Sequence, residues 1–303
     1  MAVHGHEGKV AIICAGGGMR SAHGAGFLYA LATKIGILQP DIIIGSSGNA
    51  GNVLYYSAGQ YESIKRIWLE LLSTPKFISP WRFWKIMDVD YVVDEVLKHQ
   101  EPLNIEALSK SPIEYFIPVT SAKTGKAHYI CRHDHIDPFE AMRITKALPV
   151  FFGKRFPLFG SLYFDGEIGQ TVQGHVAHAV AHGAQRILVI DDTPNSNELS
   201  KILMELYALM SPEGLREAII RDVSTTTTCV TAPGATLLCV RPTSLPASTS
   251  TRDKEKLRHA FEQGASEAAA MEQELHEFFA KPLPVSKPRT RTRTKALATA
   301  QAE

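Results

Sequence analysis

A run of apolar residues in this chain stops abruptly at a Gly-x-Ser turn and passes directly into a helical pattern. The segment from Ile42 to Ala50 reads Ile-Ile-Ile-Gly-Ser-Ser-Gly-Asn-Ala. Glycines on both sides of Ser47 permit a turn sharp enough to expose its hydroxyl at the end of a strand, as in a nucleophile elbow. The N-terminus of the following helix would stabilise negative charge there. The same residues also suit an ordinary tight turn, so the interpretation depends on two further motifs.

Three consecutive glycines follow an earlier strand pattern. Residues 9–14 (Lys-Val-Ala-Ile-Ile-Cys) are typical of a buried strand, and Gly16, Gly17 and Gly18 come shortly after them. Because backbone N–H groups without side chains around them can point at an anion, this loop is a candidate oxyanion hole. A dinucleotide-binding loop fits poorly, since Gly-x-Gly-x-x-Gly counted from Gly16 needs glycine where Ser21 stands. A P-loop is also excluded, because no Gly-Lys-Ser/Thr follows.

An acidic residue ends a short apolar strand much further along the chain. Leu-Tyr-Phe at 162–164 is followed by Asp165 and a glycine. A carboxylate at this position can take the proton of Ser47 and act as the general base of a two-residue arrangement. Two alternatives stay open. Asp-Gly is a common hairpin turn, and His175 or His178 follows the acid in the order that a Ser–His–Asp triad requires.

Taken in order, the three motifs resemble those of the patatin-like phospholipase family, particularly its bacterial single-domain members. That family has a Gly-Gly-Gly-x-[Arg/Lys]-Gly loop, a Gly-x-Ser-x-Gly elbow and an Asp-Gly-[Gly/Ala] motif. Here they begin at Gly16, Gly45 and Asp165, and the resemblance extends over roughly Lys9 to Phe279. Three ordered motifs in their strand contexts are much more specific than any one of them.

The resemblance implies a serine acyl hydrolase of the phospholipase A or lysophospholipase type, which cleaves lipid or acyl esters through an acyl-serine. Ser47 is the implied nucleophile and Asp165 the implied base. Arg20 is expected near the glycine loop, where it would steady the loop or bind a substrate phosphate. No cofactor is implied. The implied oxyanion donors are the amides of the glycine loop and of the residue after the nucleophile: Gly16, Gly17, Gly18 and Gly48.

Each motif departs from the family at one position. The family has glycine at the positions of Ser21 and Asn49. It has glycine or alanine at the position of Glu167. An Asn49 side chain needs room where helix and strand normally pack closely, although Asn tolerates unusual backbone angles. Glu167 places a second carboxylate near Asp165, and a like charge raises the pKa of its neighbour. A catalytically weak lipid-binding or regulatory protein is therefore the alternative to an enzyme.

The alternation of apolar strands and helices predicts an α/β fold with three α/β/α layers around a mostly parallel central sheet. The 303 residues, 45% of them hydrophobic, suffice for one large domain. We expect it to span 1–280, with a core at 9–240 and a C-terminal helix at about 252–279, before a disordered basic tail at 281–303. The predicted strands span 9–14, 41–45, 113–121, 126–130, 162–164, 186–191 and 236–240. The predicted helices span 20–35, 48–58, 60–72, 90–99, 136–147, 171–183, 197–210, 212–223 and 252–279.

Charge and composition restrict the partners and the cellular compartment that we expect for this protein. The net charge is +1, which indicates no preference for polyanions, so no nucleic-acid partner is expected. The four cysteines form no Cys-x-x-Cys pair and suit a reducing cytosol. Neither a signal-peptide pattern nor an apolar run of about 18 residues occurs. The twelve histidines lack zinc-ligand spacing, and no metal is expected. A cytoplasmic protein is predicted, with peripheral membrane contact.

Two segments are candidates for that membrane contact. Residues 73–90 hold two of the three tryptophans with interleaved basic residues. This composition suits a cap over an acyl-binding cleft or an interfacial surface, and equally a loop packed into the core by its aromatics. Residues 287–295 carry five basic side chains, which would attract anionic headgroups or form a solvated terminus.

Overall fold

The computed structural model describes residues 8–82, 85–149, 151–152, 154–192, 198–224 and 230–280, without the side chains of 198–203 and 222–224. The predicted basic tail at 281–303 lies outside the described residues, as do Phe83 and Trp84 of the predicted cap. None of the described helices is long and apolar enough to cross a membrane.

Strands alternate with helices along most of the chain. The strands are β1 (Lys9–Cys14), β2 (Ile42–Gly45), β3 (Glu114–Ser121), β4 (Ala127–Ile130), β5 (Phe156–Leu158), β6 (Ser161–Phe164), β7 (Ala184–Ile190) and β8 (Thr236–Val240). The α-helices are α1 (Ala22–Thr33), α2 (Asn49–Ser57), α3 (Tyr61–Arg66), α4 (Val89–Tyr91), α5 (Ile105–Lys110), α6 (Pro138–Thr145), α7 (Gly166–Gly169), α8 (Val172–Ala181), α9 (Glu198–Leu209), α10 (Glu213–Ser224), α11 (Lys254–Ala270) and α12 (Glu272–Phe279). Short 3₁₀ turns lie at Gly18–Ser21 and Arg132–Asp134, and π-helical segments at Ile67–Leu71 and Val92–Gln100.

A mostly parallel sheet joins these strands in the order β5-β6-β3-β2-β1-β7-β8, with β4 paired to β3. Strands β3, β2, β1, β7 and β8 are parallel neighbours, whereas β4 and β6 run antiparallel to β3. Apolar residues occupy both faces of β1, as buried parallel strands require. Ile12 and Cys14 belong to one core cluster, and Ala11 and Ile13 to another. The predicted α/β fold with a mostly parallel sheet is confirmed.

Helices cover both faces of the sheet. Helices α1 and α11 contribute Phe27 and Phe261 to the first cluster, which also holds Tyr55 of α2. Helix α8 contributes Val176 and Ala179 to the second cluster, on the opposite face. The sheet is therefore the middle of three layers.

Most predicted elements are present, with small shifts at their ends. The hairpin predicted at 120–126 joins β3 and β4. The sequence patterns missed β5, α5 and α7, because segments this short carry too few residues to show a period. The helix predicted at 252–279 is interrupted at Met271 and forms α11 and α12.

The carboxyl ends of parallel strands meet at one edge of a sheet, where ligands of α/β proteins commonly bind. Strand β1 ends at Cys14 just before the glycine loop, and β2 ends at Gly45 just before the elbow. Near the end of β3, Thr120 pairs with Phe164, the residue before Asp165. The three motifs, far apart in sequence, therefore meet at one edge.

Candidate active site

Ser47 lies in a sharp left-handed turn between β2 and α2. Its φ of 45° falls in the left-handed region, which costs a non-glycine residue about 1–3 kcal/mol and persists where the surroundings impose it. The flanking glycines let this turn pack closely. A Cβ on Gly45 would lie 2.4 Å from Val53 Cγ2, and one on Gly48 would lie 2.4 Å from Ser21 Oγ. The turn thus has the geometry that the sequence motif predicts.

The hydroxyl of Ser47 donates a hydrogen bond to Asp165, with 2.8 Å between Oγ and Oδ2. Asp165 is 1% exposed. It caps the N-terminus of α7, because its Oδ1 accepts from the N–H of Glu167 at 2.9 Å. Asp165 therefore begins a helix and not a hairpin turn.

The surroundings of Asp165 bring its pKa close to neutrality. Burial raises that pKa to about 7, and the negative charge of Glu167 acts in the same direction. Hydrogen bonds from the Glu167 amide and the Ser47 hydroxyl, and the charge of Lys146, oppose this rise. A carboxyl group with such a pKa changes protonation in the range that suits a general base at physiological pH.

Strand β3 fixes the backbone on which Asp165 stands. The hydroxyl of Thr120 donates to the carbonyl oxygen of Asp165 at 2.6 Å and accepts from the N–H of Gly169 at 2.8 Å. A Cβ on Gly166 would lie only 1.9 Å from the carbonyl oxygen of Pro118. The Asp-Gly pair thus permits the close approach of α7 to β3 that places the carboxylate beside the elbow.

The glycine loop lies next to the elbow and is held from two sides. Gly18 has a φ of 58°, a conformation that favours glycine, and the N–H of Met19 donates to the carbonyl oxygen of Thr249 at 3.0 Å. On the other side, the N–H of Gly16 donates to Oε2 of Glu167 at 2.8 Å. The residue that departs from the family motif after Asp165 therefore binds the first amide of the predicted oxyanion hole.

Arg20 contacts the glycine loop, near which the sequence places it. Its Nε donates to the carbonyl oxygen of Gly17 at 3.3 Å. Burial lowers the pKa of Arg20, whereas the charges of Asp192, Asp191 and Glu167 raise it. The guanidinium is thus surrounded by carboxylates at the same edge of the sheet.

Asn49, the second departure, is fully buried and hydrogen-bonded. Its Nδ2 donates to the carbonyl oxygen of Ala15 at 2.6 Å and to Oδ2 of Asp192 at 2.8 Å. Its Oδ1 accepts from Nδ2 of Asn52 at 2.8 Å. The side chain therefore links α2 to the glycine loop and to the end of β7, and the room that the sequence argument questioned is present.

A buried histidine between two carboxylates, which the sequence patterns did not indicate, continues this network. His23 lies between two carboxylates, with Nδ1 2.8 Å from Oδ1 of Asp192 and Nε2 2.9 Å from Oε2 of Glu267. Burial alone would lower the pKa of His23, but hydrogen bonds and charge from both carboxylates raise it to about 9. The signal available in the sequence was the acidic pair Asp191-Asp192 directly after a buried strand.

The histidines of the alternative triad have other partners. Nδ1 of His175 lies 2.9 Å from the hydroxyl of Tyr129, and the ring of His178 stacks on Tyr129 with centroids 3.6 Å apart. Ser47 donates to Asp165 instead, so the geometry favours the dyad. Within the described ranges, no group of three or more His, Cys, Asp or Glu side chains is arranged to hold a metal ion.

The segment at 73–90 has both buried and exposed aromatic residues. Phe77 and Ile78 are buried in the main core cluster, whereas Trp81 is 88% exposed. The carbonyl oxygen of Ile78 accepts from Arg252, and the N–H of Met87 donates to the carbonyl oxygen of Phe151 at 3.0 Å. The segment is anchored by its core residues, and its Trp81 projects into solvent.

Comparison with known proteins agrees with this combination of fold and site. The chain belongs to the patatin-like phospholipase family, whose family profile matches residues 12–177, more than half of the 303 residues. The matched region contains the glycine loop, the elbow and Asp165.

Two individual similarities accompany the family match. The chain is 25% identical over 203 residues to the uncharacterized protein YjjU of Escherichia coli K12, covering 62% of this chain and 53% of that protein. The chain thus spans about half the length of this curated relative. The crystal structure of VipD from Legionella pneumophila superposes with a TM-score of 0.49 at 11% identity, over 88% of this chain and 67% of that one.

Proposed function

We propose that this chain is a lipid acyl hydrolase whose single domain, residues 1–280, carries a Ser47–Asp165 dyad. Family membership supports the hydrolysis of lipid esters in general. The observation that carries the finer proposal is the 2.8 Å hydrogen bond from Ser47 Oγ to the buried Asp165, at a strained strand-to-helix turn. A nucleophile and base within hydrogen-bond reach are the signature of covalent catalysis.

In the proposed reaction, Asp165 accepts the hydroxyl proton as Ser47 Oγ attacks the ester carbonyl carbon. The bond from that carbon to the leaving alcohol oxygen then breaks, and Asp165 returns the proton to that oxygen. An acyl-Ser47 intermediate remains. Water, deprotonated by Asp165, attacks the acyl carbon, and the released Ser47 oxygen takes the proton back. The products are a fatty acid and free enzyme.

The oxyanion of each tetrahedral intermediate needs N–H donors. Gly17, Gly18 and Gly48 are the proposed donors, because no hydrogen bond among the described residues occupies their amides. Gly16 already donates to Glu167, so its amide serves a substrate only after that carboxylate moves. The N-terminus of α2, directly after Gly48, adds favourable electrostatics for negative charge.

A small apolar cavity lies beside the elbow. Its volume is about 30 Å³, room for one or two water-sized groups, and we propose that it marks the acyl side of the substrate. Arg20, at the same edge, is the proposed partner of a substrate phosphate, and the exposed Trp81 the proposed point of peripheral membrane contact. The cavity walls come from α2, α3, both π-helical segments and single residues next to α2, α6 and the first π-helical segment: Gly48, Gly51, Asn52, Tyr55, Ile64, Ile67, Trp68, Leu72, Val92, Leu97 and Lys146.

A lipid-binding protein with weak turnover is the second candidate. The observation that favours it is the carboxylate of Glu167, which binds the amide of Gly16 inside the glycine loop. A negative charge at this position opposes the developing oxyanion.

Labelling by a fluorophosphonate, read by intact mass, tests the proposal. We expect one adduct on the wild type and none on Ser47→Ala. Asp165→Ala should be labelled about 10²–10⁴-fold more slowly, the usual contribution of a general base. Ser46→Ala is the matched control, since this neighbouring serine is buried and lies outside the dyad; it should be labelled like the wild type.

Release of fatty acid from phospholipid and lysophospholipid vesicles, measured by mass spectrometry, then identifies the substrate. Equal labelling of Ser47→Ala and the wild type would refute the proposed nucleophile. Tight binding of acyl ligands to a wild type that is never labelled would favour the second candidate.

A further inference from the structure

Lys146 follows α6 and brings its ammonium group against the backbone of the elbow. Its Nζ donates to the carbonyl oxygens of Ser47 at 2.6 Å and of Gly48 at 3.2 Å. The preceding residue, Thr145, accepts from the N–H of Ser47 at 3.2 Å and donates to the carbonyl oxygen of Pro118 at 2.6 Å. Two consecutive side chains therefore hold both backbone polar groups of Ser47 and tie them to β3.

The contact of Lys146 with the elbow carbonyls affects the strained turn at Ser47. A left-handed φ at a serine costs free energy and persists only where neighbouring groups impose it. Hydrogen bonds from an ammonium group are roughly twice as strong as those between neutral groups. The hydrogen bonds from Lys146 to two successive carbonyls therefore help to keep Ser47 in the conformation that presents Oγ to Asp165.

Lys146 is a charged residue in mostly apolar surroundings. Lys146 lines the apolar cavity beside the elbow, together with Trp68, Leu72 and Val92. Burying an ammonium group in such surroundings is costly unless a partner compensates. Burial accordingly lowers the pKa of Lys146 to about 8, and the charge of Asp165 opposes this change.

Lys146 and Asp165 shift each other's pKa. The positive charge of Lys146 lowers the pKa of Asp165, against the effect of burial. The carboxylate of Glu167 acts in the opposite direction and raises that pKa. Lys146 is thus a cation that favours the ionised form of the proposed base.

We propose that Lys146 is a positioning residue for the Ser47–Asp165 pair: it holds the elbow carbonyls and places its positive charge at the residue whose hydroxyl donates to Asp165. This inference rests on the proposed function and deepens it. Lys146 acts through the two other residues and takes no part in bond making.

The pH profile of fluorophosphonate labelling tests this role in three variants. In the wild type the rate should rise through the pKa of Asp165, about 7, and fall through that of Lys146, about 8. Lys146→Met should be labelled at least ~10-fold more slowly, with its rising limb at higher pH. Lys146→Arg keeps its charge above pH ~8 and should lose the falling limb. Lys34→Met, on an exposed lysine after α1, should match the wild type.

A second measurement does not depend on activity. NMR titration of ¹³C-labelled aspartate carboxyls, with Asp165 assigned by its loss in Asp165→Asn, should show a higher midpoint in Lys146→Met than in the wild type. A purely structural lysine would change thermal stability and leave this midpoint in place. If Lys146→Met does not fold, Lys146→Arg provides the test. Its labelling profile should lack the falling limb, and its NMR midpoint for Asp165 should equal that of the wild type.

The two proposals fail in different ways. A wild type without Ser47 labelling refutes the proposed function, and the NMR titration still decides whether Lys146 acts on Asp165. Wild-type labelling rate and profile in Lys146→Met, or an unmoved Asp165 midpoint, overturns the role of Lys146.

Discussion

Replacing Asn49 with glycine, the residue that the family carries there, is expected to destabilise this chain. The side chain makes three buried hydrogen bonds, to Ala15, Asp192 and Asn52. Each neutral bond contributes about 1 kcal/mol and the bond to a carboxylate about 1.5–3 kcal/mol, so their loss lowers the free energy of unfolding by about 3.5–5 kcal/mol. Glycine in the first turn of α2 adds up to about 1 kcal/mol.

Urea unfolding followed by circular dichroism measures this effect at neutral pH. Asn49→Ala is the matched variant, because it removes the same hydrogen bonds without the backbone freedom of glycine. A typical domain has about 5–15 kcal/mol of stability, so both variants should unfold at clearly lower urea. A loss below about 1 kcal/mol in Asn49→Ala would refute the reasoning, since the loss of three buried hydrogen bonds, one of them to a carboxylate, should cost more than that.

Three further predictions follow from the charges around the site. Labelling of Ser47 should rise as pH passes the pKa of Asp165, about 7, because only the carboxylate accepts the hydroxyl proton; a rate without pH dependence would contradict this. Because its pKa is raised from 6.5 to about 9, His23 should contribute about 3 kcal/mol of stability below pH ~6.5, lost as pH rises through about 9. Urea titrations across this range should show the loss, and His23→Gln should abolish it. Glu167→Gln keeps an acceptor for Gly16 and removes a like charge, so the pKa of Asp165 should fall and labelling at pH ~6 should increase; an unchanged rate would oppose that electrostatic role.

Local sequence determined the elements that carry the site. The apolar run before Gly45 indicated a buried strand, and the glycines around Ser47 indicated the turn that the structure shows. Such signals depend on residues adjacent in the chain, because backbone sterics and side-chain periodicity act over a few positions. The order of the three motifs then identified the family, which the comparison confirmed.

Only the tertiary structure decided what surrounds Ser47 and Asp165. Glu167 reaches Gly16 across 151 positions and Lys146 reaches Ser47 across 99, so neither contact leaves a pattern in the local sequence. Asn49 looked like an obstacle in the motif, yet its amide completes a buried network with Asp192. The pKa of Asp165 likewise follows from burial and from charges on separate elements. Sequence specified the chemical groups; folding set their distances and their exposure to water, and these determine the electrostatic effects between them.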